Sequence, residues 1–200
     1  VKRAGLAVPD SVMLIVSPGC CGRNTSVLSS MRAYQDRFYY LLMDETDIVT
    51  GRHLKKIPKA VAEICEGLKK KPSVVMICIT CVDALLGTDM ERVCHKAEEY
   101  AGVPVRPCYM YALTREGRKP PMVHVRQSVY SLLEPKKKKG NVVNLLGYFS
   151  PLTDDCELYD LLHGAGVKTI HEISRCKDYA QYQTMSEANF NLVLHPEARF

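Results

Sequence analysis

Short apolar runs alternate with helical patterns along this chain. Four early runs are apolar almost throughout, as buried strands are: Ser11 to Val16, Phe38 to Met43, Ser73 to Ile79 and Val103 to Met110. Two segments with apolar residues at helical spacing lie between them, His53 to Lys70 and Thr88 to Tyr100. The second of these opens with a predicted capping box, Thr88 and Glu91. Apolar strands separated by helices indicate an α/β fold with a parallel sheet covered on both faces.

A second cycle of the same kind follows a run of lysines. After a helical segment at Val123 to Glu134, the residues Pro135 to Gly140 have the composition of a solvated linker. The segments that follow alternate again: strand Asn141 to Gly147, helix Thr153 to His163, strand Gly166 to Ile173, a helical stretch near Asp178 to Glu187, and strand Phe190 to His195. We therefore predict a first Rossmann-like domain at residues 1–135, a Lys-rich linker at 136–140, and the beginning of a second Rossmann-like domain at 141–200. Because three strands are few for such a domain, we expect this sequence to be part of a longer protein.

Composition and charge narrow the functional classes. The 200 residues include 27 Lys and Arg against 22 Asp and Glu, and four of the basic residues form the run Lys136 to Lys139. No broad basic face for nucleic acid is therefore expected. No apolar run approaches the ~18–20 residues that span a bilayer, and the first residues lack the features of a signal peptide. Nine cysteines, at irregular spacing, fit metal or redox chemistry in a reducing, cytoplasmic compartment better than a disulfide framework.

Three of the four early strand ends carry cysteines, and ligands of open parallel sheets bind beyond those ends. The segment Ser17 to Thr25 follows the first predicted strand and contains Cys20 and Cys21, Cys81 follows the third strand, and Cys108 ends the fourth. Thiolates in a partly dry pocket are ligands for zinc or for an iron–sulfur cluster. The alternative is that each cysteine is a small buried hydrophobe.

The surroundings of the cysteines favour different roles. Cys21 lies in a glycine-flanked turn where the backbone can approach a cluster closely. Cys81 stands where the third strand gives way to a helix, and a helix N-terminus favours the thiolate. Cys78 forms a CxxC with Cys81, but it lies inside an apolar run, so we expect it in the core. The other cysteines are predicted to be structural residues of helices, Cys65 and Cys94, or have no assigned role, Cys156 and Cys176.

The cysteine turn and three further segments resemble one known family. Ser17 to Gly22 is similar to the HGPxGCG turn of the nitrogenase component 1 superfamily, which includes the molybdenum–iron protein subunits, their cofactor-assembly scaffolds and the dark-operative protochlorophyllide and related tetrapyrrole reductases. Met43 to Ile57 resembles the family segment D-I-V-x-G-G-x-x-K-L, and Ile79 to Val93 resembles its segment E-C-x-x-x-L-I-G-D-D-I-x-x-V. Val103 to Tyr111 is similar to its V-P-V segment. The four motifs stand in the family's order, and the resemblance covers essentially the whole sequence.

The resemblance implies particular cluster ligands. Cys21 and Cys81 match two cysteines that hold the family's bridging iron–sulfur cluster, of [4Fe–4S] or related type, at a subunit interface. Gly22 stands beside them, and Cys20 is the alternative to Cys21. The family's first cluster cysteine precedes this turn, and its position, counted back from Cys21, falls just before Val1. We therefore expect the cluster site of this sequence to be incomplete or empty.

A departure from the family occurs near the end of the sequence. The family's catalytic-cofactor cysteine aligns with His195, at the end of the last predicted strand. Imidazole can ligate metals, so His195 is a weaker metal candidate, although a histidine that ends a strand is more often structural. Since the nitrogenase cofactor ligand is not retained, the resemblance argues against dinitrogen reduction.

Three functions follow from these residues. The first is an oxidoreductase subunit that pairs with a homologous or identical subunit. It would pass electrons from an ATP-dependent iron–sulfur reductase partner through the cluster to a substrate that the sequence does not identify. The second is a non-catalytic scaffold for metallocofactor assembly, and the third is a thiol–disulfide enzyme using Cys78 and Cys81. The third needs both thiols accessible, which the apolar run around Cys78 opposes. Because the sequence contains no G-x-x-x-x-G-K-[ST] loop, we expect no nucleotide to bind this chain.

Overall fold

The computed structural model describes residues 2–22, 34, 36–110 and 120–199. Its first sheet has four parallel strands in the order β2-β1-β3-β4. These strands are β1 (Val12–Ser17), β2 (Phe38–Leu42), β3 (Val75–Ile79) and β4 (Val105–Tyr109). β1 and β3 are neighbours at the centre of the sheet, with Val16 and Ile79 opposite each other at their carboxyl ends. The predicted α/β fold with a parallel sheet is confirmed.

Helices cover this sheet and connect its strands. They are α1 (Lys2–Gly5), α2 (Glu45–Thr50), α3 (Arg52–Gly67), α4 (Cys81–Leu85), α5 (Met90–Ala101) and α6 (Pro121–Tyr130), and residues 19–22 are also helical. α5 begins after Asp89, whose carboxylate accepts a hydrogen bond from the Arg92 N–H at 3.1 Å. The predicted capping box at Thr88 is therefore wrong. The Thr88 hydroxyl instead donates to the Asp83 carboxylate, at 3.3 Å.

The two faces of the first sheet bury separate hydrophobic cores, because alternate residues of a strand point to opposite sides. In β1, Leu14 and Val16 pack in the core under α3 and α5, whereas Met13 and Ile15 pack in the core on the other face. That other core also contains side chains of α1 and α6 and, from the second half of the chain, the fully buried Tyr182. The continuous apolar runs of the sequence are thus explained by burial on both faces.

A second parallel sheet, in the order β6-β5-β7, follows α6. Its strands are β5 (Lys139–Leu146), β6 (Thr169–His171) and β7 (Ala188–Val193), with helices α7 (Glu157–Gly164) and α8 (Tyr179–Gln183) and 3₁₀ turns at Ile173–Arg175, Thr184–Glu187 and Pro196–Ala198. β5 begins two residues earlier than the predicted strand, because Lys139 pairs with Ala188 and its ammonium group binds the Glu187 carboxylate. The division into two domains at 136–140 remains a prediction.

Polar contacts join the second sheet to α6. The buried guanidinium of Arg126 donates to the Gly147 carbonyl through Nε at 3.1 Å and Nη2 at 2.6 Å, and its Nη1 lies 2.8 Å from Glu197 Oε2. The Tyr182 hydroxyl donates to the Val129 carbonyl. These contacts dock the second sheet against the α6 side of the first sheet. Among the residues that the structure describes, no helix is long and apolar enough to cross a bilayer.

Candidate functional site at the carboxyl edge of the first sheet

The two predicted cluster cysteines follow neighbouring strands. β1 and β3 run parallel in register, so the chain leaves both strands at the same edge of the sheet. Cys21 lies in the helical residues 19–22 after β1, and Cys81 is the first residue of α4, directly after β3. Both side chains are partly exposed. The topology therefore places Cys21 and Cys81 at one edge, and their role as cluster ligands remains a prediction.

The turn that carries Cys20 and Cys21 is fixed against the strand ends. The N–H groups of Cys21 and Gly22 both donate to the Pro18 carbonyl, at 3.1 and 3.2 Å. A Cβ atom at Gly22 would lie 3.4 Å from Ser17 Oγ and 3.5 Å from a methyl group of Leu42. These are ordinary van der Waals distances, so the turn lies against the ends of β1 and β2 with room for a Cβ atom at Gly22. The Cys20 and Cys21 sulfurs are 3.9 Å apart in this turn, and Cys20 is exposed. Residues 23–25 of the predicted segment lie outside the described residues.

Two hydroxyl groups beside these cysteines are buried without a hydrogen-bond partner in the described part of the chain. They are Ser17 Oγ, at the end of β1, and Thr80 Oγ1, next to Cys81. Burying a hydroxyl group without a partner is costly. Thiol and hydroxyl groups at one edge fit an iron–sulfur cluster, because thiolates bind the iron and hydrogen bonds to the sulfurs tune its potential.

A buried histidine–aspartate pair joins α3 to α4, the helix that begins at Cys81. His53 of α3 and Asp83 of α4 are both buried, and His53 Nε2 lies 3.0 Å from Asp83 Oδ1. His53 Nδ1 lies 3.0 Å from the carbonyl oxygen of Asp47, in the first turn of α2. Because a carbonyl oxygen can only accept, Nδ1 carries a hydrogen and donates. The contact to Asp83 then requires one further proton, held either on Nε2 or on the carboxyl group.

Asp47, whose carbonyl contacts His53, connects this buried pair to partly exposed basic side chains. The buried Asp47 carboxylate accepts from the Lys56 ammonium at 2.6 Å, and the Arg52 guanidinium lies 3.5 Å away. The hydrogen bond from Lys56 lowers the pKa of Asp47 against the opposing effect of burial. Sequence reasoning missed the His53 and Asp83 pair. The available signal was a histidine at an apolar position of α3 and an aspartate two residues after a candidate ligand.

The cysteines that were predicted to be structural lie in or against the core. Cys78 is fully buried in β3, so one thiol of the CxxC is inaccessible. Cys94 is buried in α5, and desolvation raises the pKa of its thiol. Desolvation also raises the pKa of the half-buried Cys65, in α3. In the second sheet region, desolvation raises the pKa of Cys176 to about 11. Thiols with raised pKa values are poor nucleophiles at neutral pH.

His195 follows β7 of the second sheet and packs against residues close to it there. Its Nδ1 accepts from the Glu197 N–H at 3.3 Å, and its ring meets the Tyr148 ring edge-on at a centroid distance of 5.7 Å. Its backbone passes so close to Gly147 that a Cβ atom there would lie 2.8 Å from the His195 nitrogen. Within residues 2–22, 34, 36–110 and 120–199, no group of three or more His, Cys, Asp or Glu side chains is arranged to hold a metal ion.

The fold and the carboxyl edge of the first sheet define a class of protein. It is an α/β protein of parallel sheets, with cysteines that follow the carboxyl ends of neighbouring strands. Comparisons with known proteins specify the family. The profile of the family described as "Nitrogenase component 1 type Oxidoreductase" matches residues 1–199. The chain belongs to this nitrogenase component 1 family, as its motifs predicted.

Curated relatives and a solved structure agree with this membership. The nitrogenase iron-molybdenum cofactor biosynthesis protein NifE of Rhizobium meliloti (strain 1021) is 32% identical over 127 residues, which cover 62% of this chain and 26% of the relative. The protein of the same name from Klebsiella pneumoniae is 26% identical over 205 residues, which cover 94% of this chain and 44% of that relative. The structure described as "Nitrogenase Cp1 at pH 5" has the same fold, with a TM-score of 0.67 and 22% identity over 98% of this chain and 43% of that one. The chain spans less than half the length of these relatives.

Proposed function

We propose that this chain holds an iron–sulfur cluster through Cys21 and Cys81, in a component 1-type subunit on which a metallocofactor is assembled. The observation that carries this proposal is the position of the two thiols beyond neighbouring, in-register strand ends of one sheet. The scaffold role is supported by relatives named as iron-molybdenum cofactor biosynthesis proteins.

The residues around the two thiols suit this task. Cys21 and Cys81 supply thiolates, and Gly22 stands beside Cys21 in the turn. The hydroxyl groups of Ser17 and Thr80 are available as hydrogen-bond donors to cluster sulfurs. When bound, the cluster supplies one-electron redox chemistry, and burial and hydrogen bonding set its potential.

The neighbouring surface suits a second, homologous subunit. Four large apolar side chains lie exposed in or directly after elements of the carboxyl edge: Leu42 at the end of β2, Val49 in α2, Leu85 at the end of α4 and Leu86 directly after it. Val49 is 85% exposed and Leu85 is 73% exposed. A contiguous patch of exposed apolar groups marks an interaction surface, and we propose that these four side chains form one. We assign the assembled protein to the cytoplasm, where thiols stay reduced.

The second candidate is an electron-transfer oxidoreductase subunit. The family description as an oxidoreductase and the fold shared with nitrogenase Cp1 favour it. In this role an ATP-dependent iron–sulfur reductase partner would supply electrons, and the substrate would bind between domains.

Anaerobic purification of the full-length protein separates the two candidates. A scaffold retains its metallocofactor through gel filtration, donates it to a cofactor-free acceptor, and shows no substrate turnover with a reductase partner. An oxidoreductase consumes reductant and ATP continuously with that partner and does not release its cofactor. A full-length protein without iron contradicts both candidates.

A further inference from the structure

The helix α4, which begins with the proposed ligand Cys81, has a single buried side chain. Of its residues Cys81–Leu85, all of which the structure describes, only Asp83 is buried, and Leu85 at its end is exposed. The N-terminus of α4 has no side-chain cap, because the Thr80 hydroxyl makes no capping hydrogen bond. Helices this short are not stable on their own. The position of α4 therefore depends on tertiary contacts, above all those of Asp83.

The contacts of Asp83 reach two parts of the chain. Its Oδ1 lies 3.0 Å from Nε2 of the buried His53, in α3, and accepts from the Thr88 hydroxyl at 3.3 Å. Its carbonyl oxygen accepts from the Thr88 N–H at 3.0 Å. The two contacts to Thr88 stay within the chain segment that runs from α4 to α5. The contact to His53, in contrast, joins α4 to a helix that precedes β3 in the sequence.

His53 is itself held firmly. It is buried in α3, and its Nδ1 donates to the carbonyl oxygen of Asp47, in α2, at 3.0 Å. α3 has 16 residues, and its side chains Ile57 and Val61 pack fully buried in the core on one face of the first sheet. The imidazole of His53 therefore connects Asp83 to a long helix that is well packed against the sheet.

We propose that His53 is a positioning residue for Cys81 and acts through Asp83. This inference rests on the proposed function, in which the Cys81 thiolate binds the cluster. Cys81 and Asp83 are two residues apart in one helical turn, so the contact that fixes Asp83 also fixes the backbone that carries the thiol. Residues that orient a metal ligand from outside the coordination sphere commonly strengthen metal binding by roughly 10–100-fold.

Two substitutions of His53 separate its two contacts. Counted in bonds from Cα, the amide nitrogen of glutamine matches His Nε2, and that of asparagine matches His Nδ1. His53→Gln therefore keeps a hydrogen-bond partner for the Asp83 carboxyl group, whereas His53→Asn keeps only the contact to the Asp47 carbonyl. Both variants remove the ring, so a purely structural role predicts equal effects. The control for lost stability is Arg126→Met, which removes contacts between α6 and the second sheet.

The test uses anaerobically purified full-length protein and measures the rate at which the chelator bathophenanthroline disulfonate removes its iron. We expect His53→Gln and Arg126→Met to release iron at the wild-type rate. His53→Asn should release it at least roughly tenfold faster and change the electron paramagnetic resonance spectrum of the cluster. In iron-free protein, the amides of α4 should exchange hydrogen faster in His53→Asn than in His53→Gln, while those of α5 exchange equally. Circular dichroism verifies that each variant is folded.

Equal iron release by His53→Gln and His53→Asn would overturn the positioning role, and so would release from Arg126→Met as fast as from His53→Asn. If His53→Asn does not fold, Asp83→Leu breaks the same contact with an apolar side chain of similar size and should release iron equally fast. Failure of the cluster proposal gives a different result, because the wild type then contains no iron. Hydrogen exchange of α4 then decides the positioning role, and equal exchange in the two His53 variants overturns it.

Discussion

His53 Nε2 lies 3.0 Å from Asp83 Oδ1, and both side chains are buried. This contact joins α3 to α4, the short helix that begins with Cys81. His53 is also held by the Asp47 carbonyl, so one side chain connects three helices at the carboxyl edge of the sheet. Asp83 Oδ2 has no hydrogen-bond partner among the described residues, which leaves His53 as the main compensation for this buried carboxyl group.

Removal of His53 should therefore destabilise the fold strongly. We expect His53→Ala to lower the free energy of unfolding by about 3–5 kcal/mol, because it leaves the buried Asp83 carboxyl group with only the longer hydrogen bond from the Thr88 hydroxyl. The effect of His53→Ala and Asp83→Ala together should be smaller than the sum of the two single effects. Urea unfolding measures both quantities.

The matched control is His95→Ala. His95 pairs with Glu99 on the surface of α5, with its side chain 75% exposed, and its loss should change stability by less than about 0.5 kcal/mol. Equal losses for His53→Ala and His95→Ala would show that the buried pair does not stabilise the fold.

Arg126 should couple the second sheet to α6. Its guanidinium donates to the Gly147 carbonyl and contacts Glu197, and it stacks over the Phe149 ring at 5.1 Å. Arg126→Met removes these contacts and should cost about 2–4 kcal/mol. Weaker docking should also speed tryptic cleavage at Lys136 to Lys139. Arg92→Met, at an exposed position of α5, is the control. Equal cleavage rates for both variants would rule out this coupling.

The pH dependence of stability should carry a contribution from Cys176. Desolvation raises the pKa of this thiol from 9.0 to about 11 in the folded chain. The stabilisation from the neutral, buried thiol is complete below pH 9 and is lost between pH 9 and about 11, because the unfolded chain ionises first. The difference in unfolding free energy between wild type and Cys176→Ser should therefore shift steadily in favour of the variant over this window. A difference that stays constant from pH 8 to pH 11 would refute the shift.

Local patterns predicted the strands well and the contacts between helices poorly. The run around Leu14 is apolar throughout because both faces of β1 are covered, and this leaves a clear signal in one segment. His53 and Asp83 are thirty residues apart, so their contact depends on how α3 packs beside α4. The same packing draws Thr88 to Asp83 and leaves the cap of α5 to Asp89. These contacts depend on the tertiary packing of the helices, which the local sequence around each residue does not determine.

The carboxyl edge was predictable for a different reason. Parallel strands place their carboxyl ends on one side, so Cys21 and Cys81 could be assigned to one edge although sixty residues separate them. The start of β5 at Lys139 was not predictable, because a lysine run has the composition of a linker until Glu187 is brought beside it.

Cys21 and Cys81 together should hold one iron–sulfur cluster. The most direct measurement is the iron and acid-labile sulfide content of anaerobically purified full-length protein, with its electron paramagnetic resonance spectrum, for wild type, Cys21→Ala, Cys81→Ala and Cys65→Ala. Cys65 is a half-buried thiol of α3, away from the edge, and serves as the control. We expect both edge variants to lose iron, sulfide and the cluster signal while Cys65→Ala keeps all three. Retention of a full cluster by both edge variants, or equal loss in Cys65→Ala, would contradict the claim.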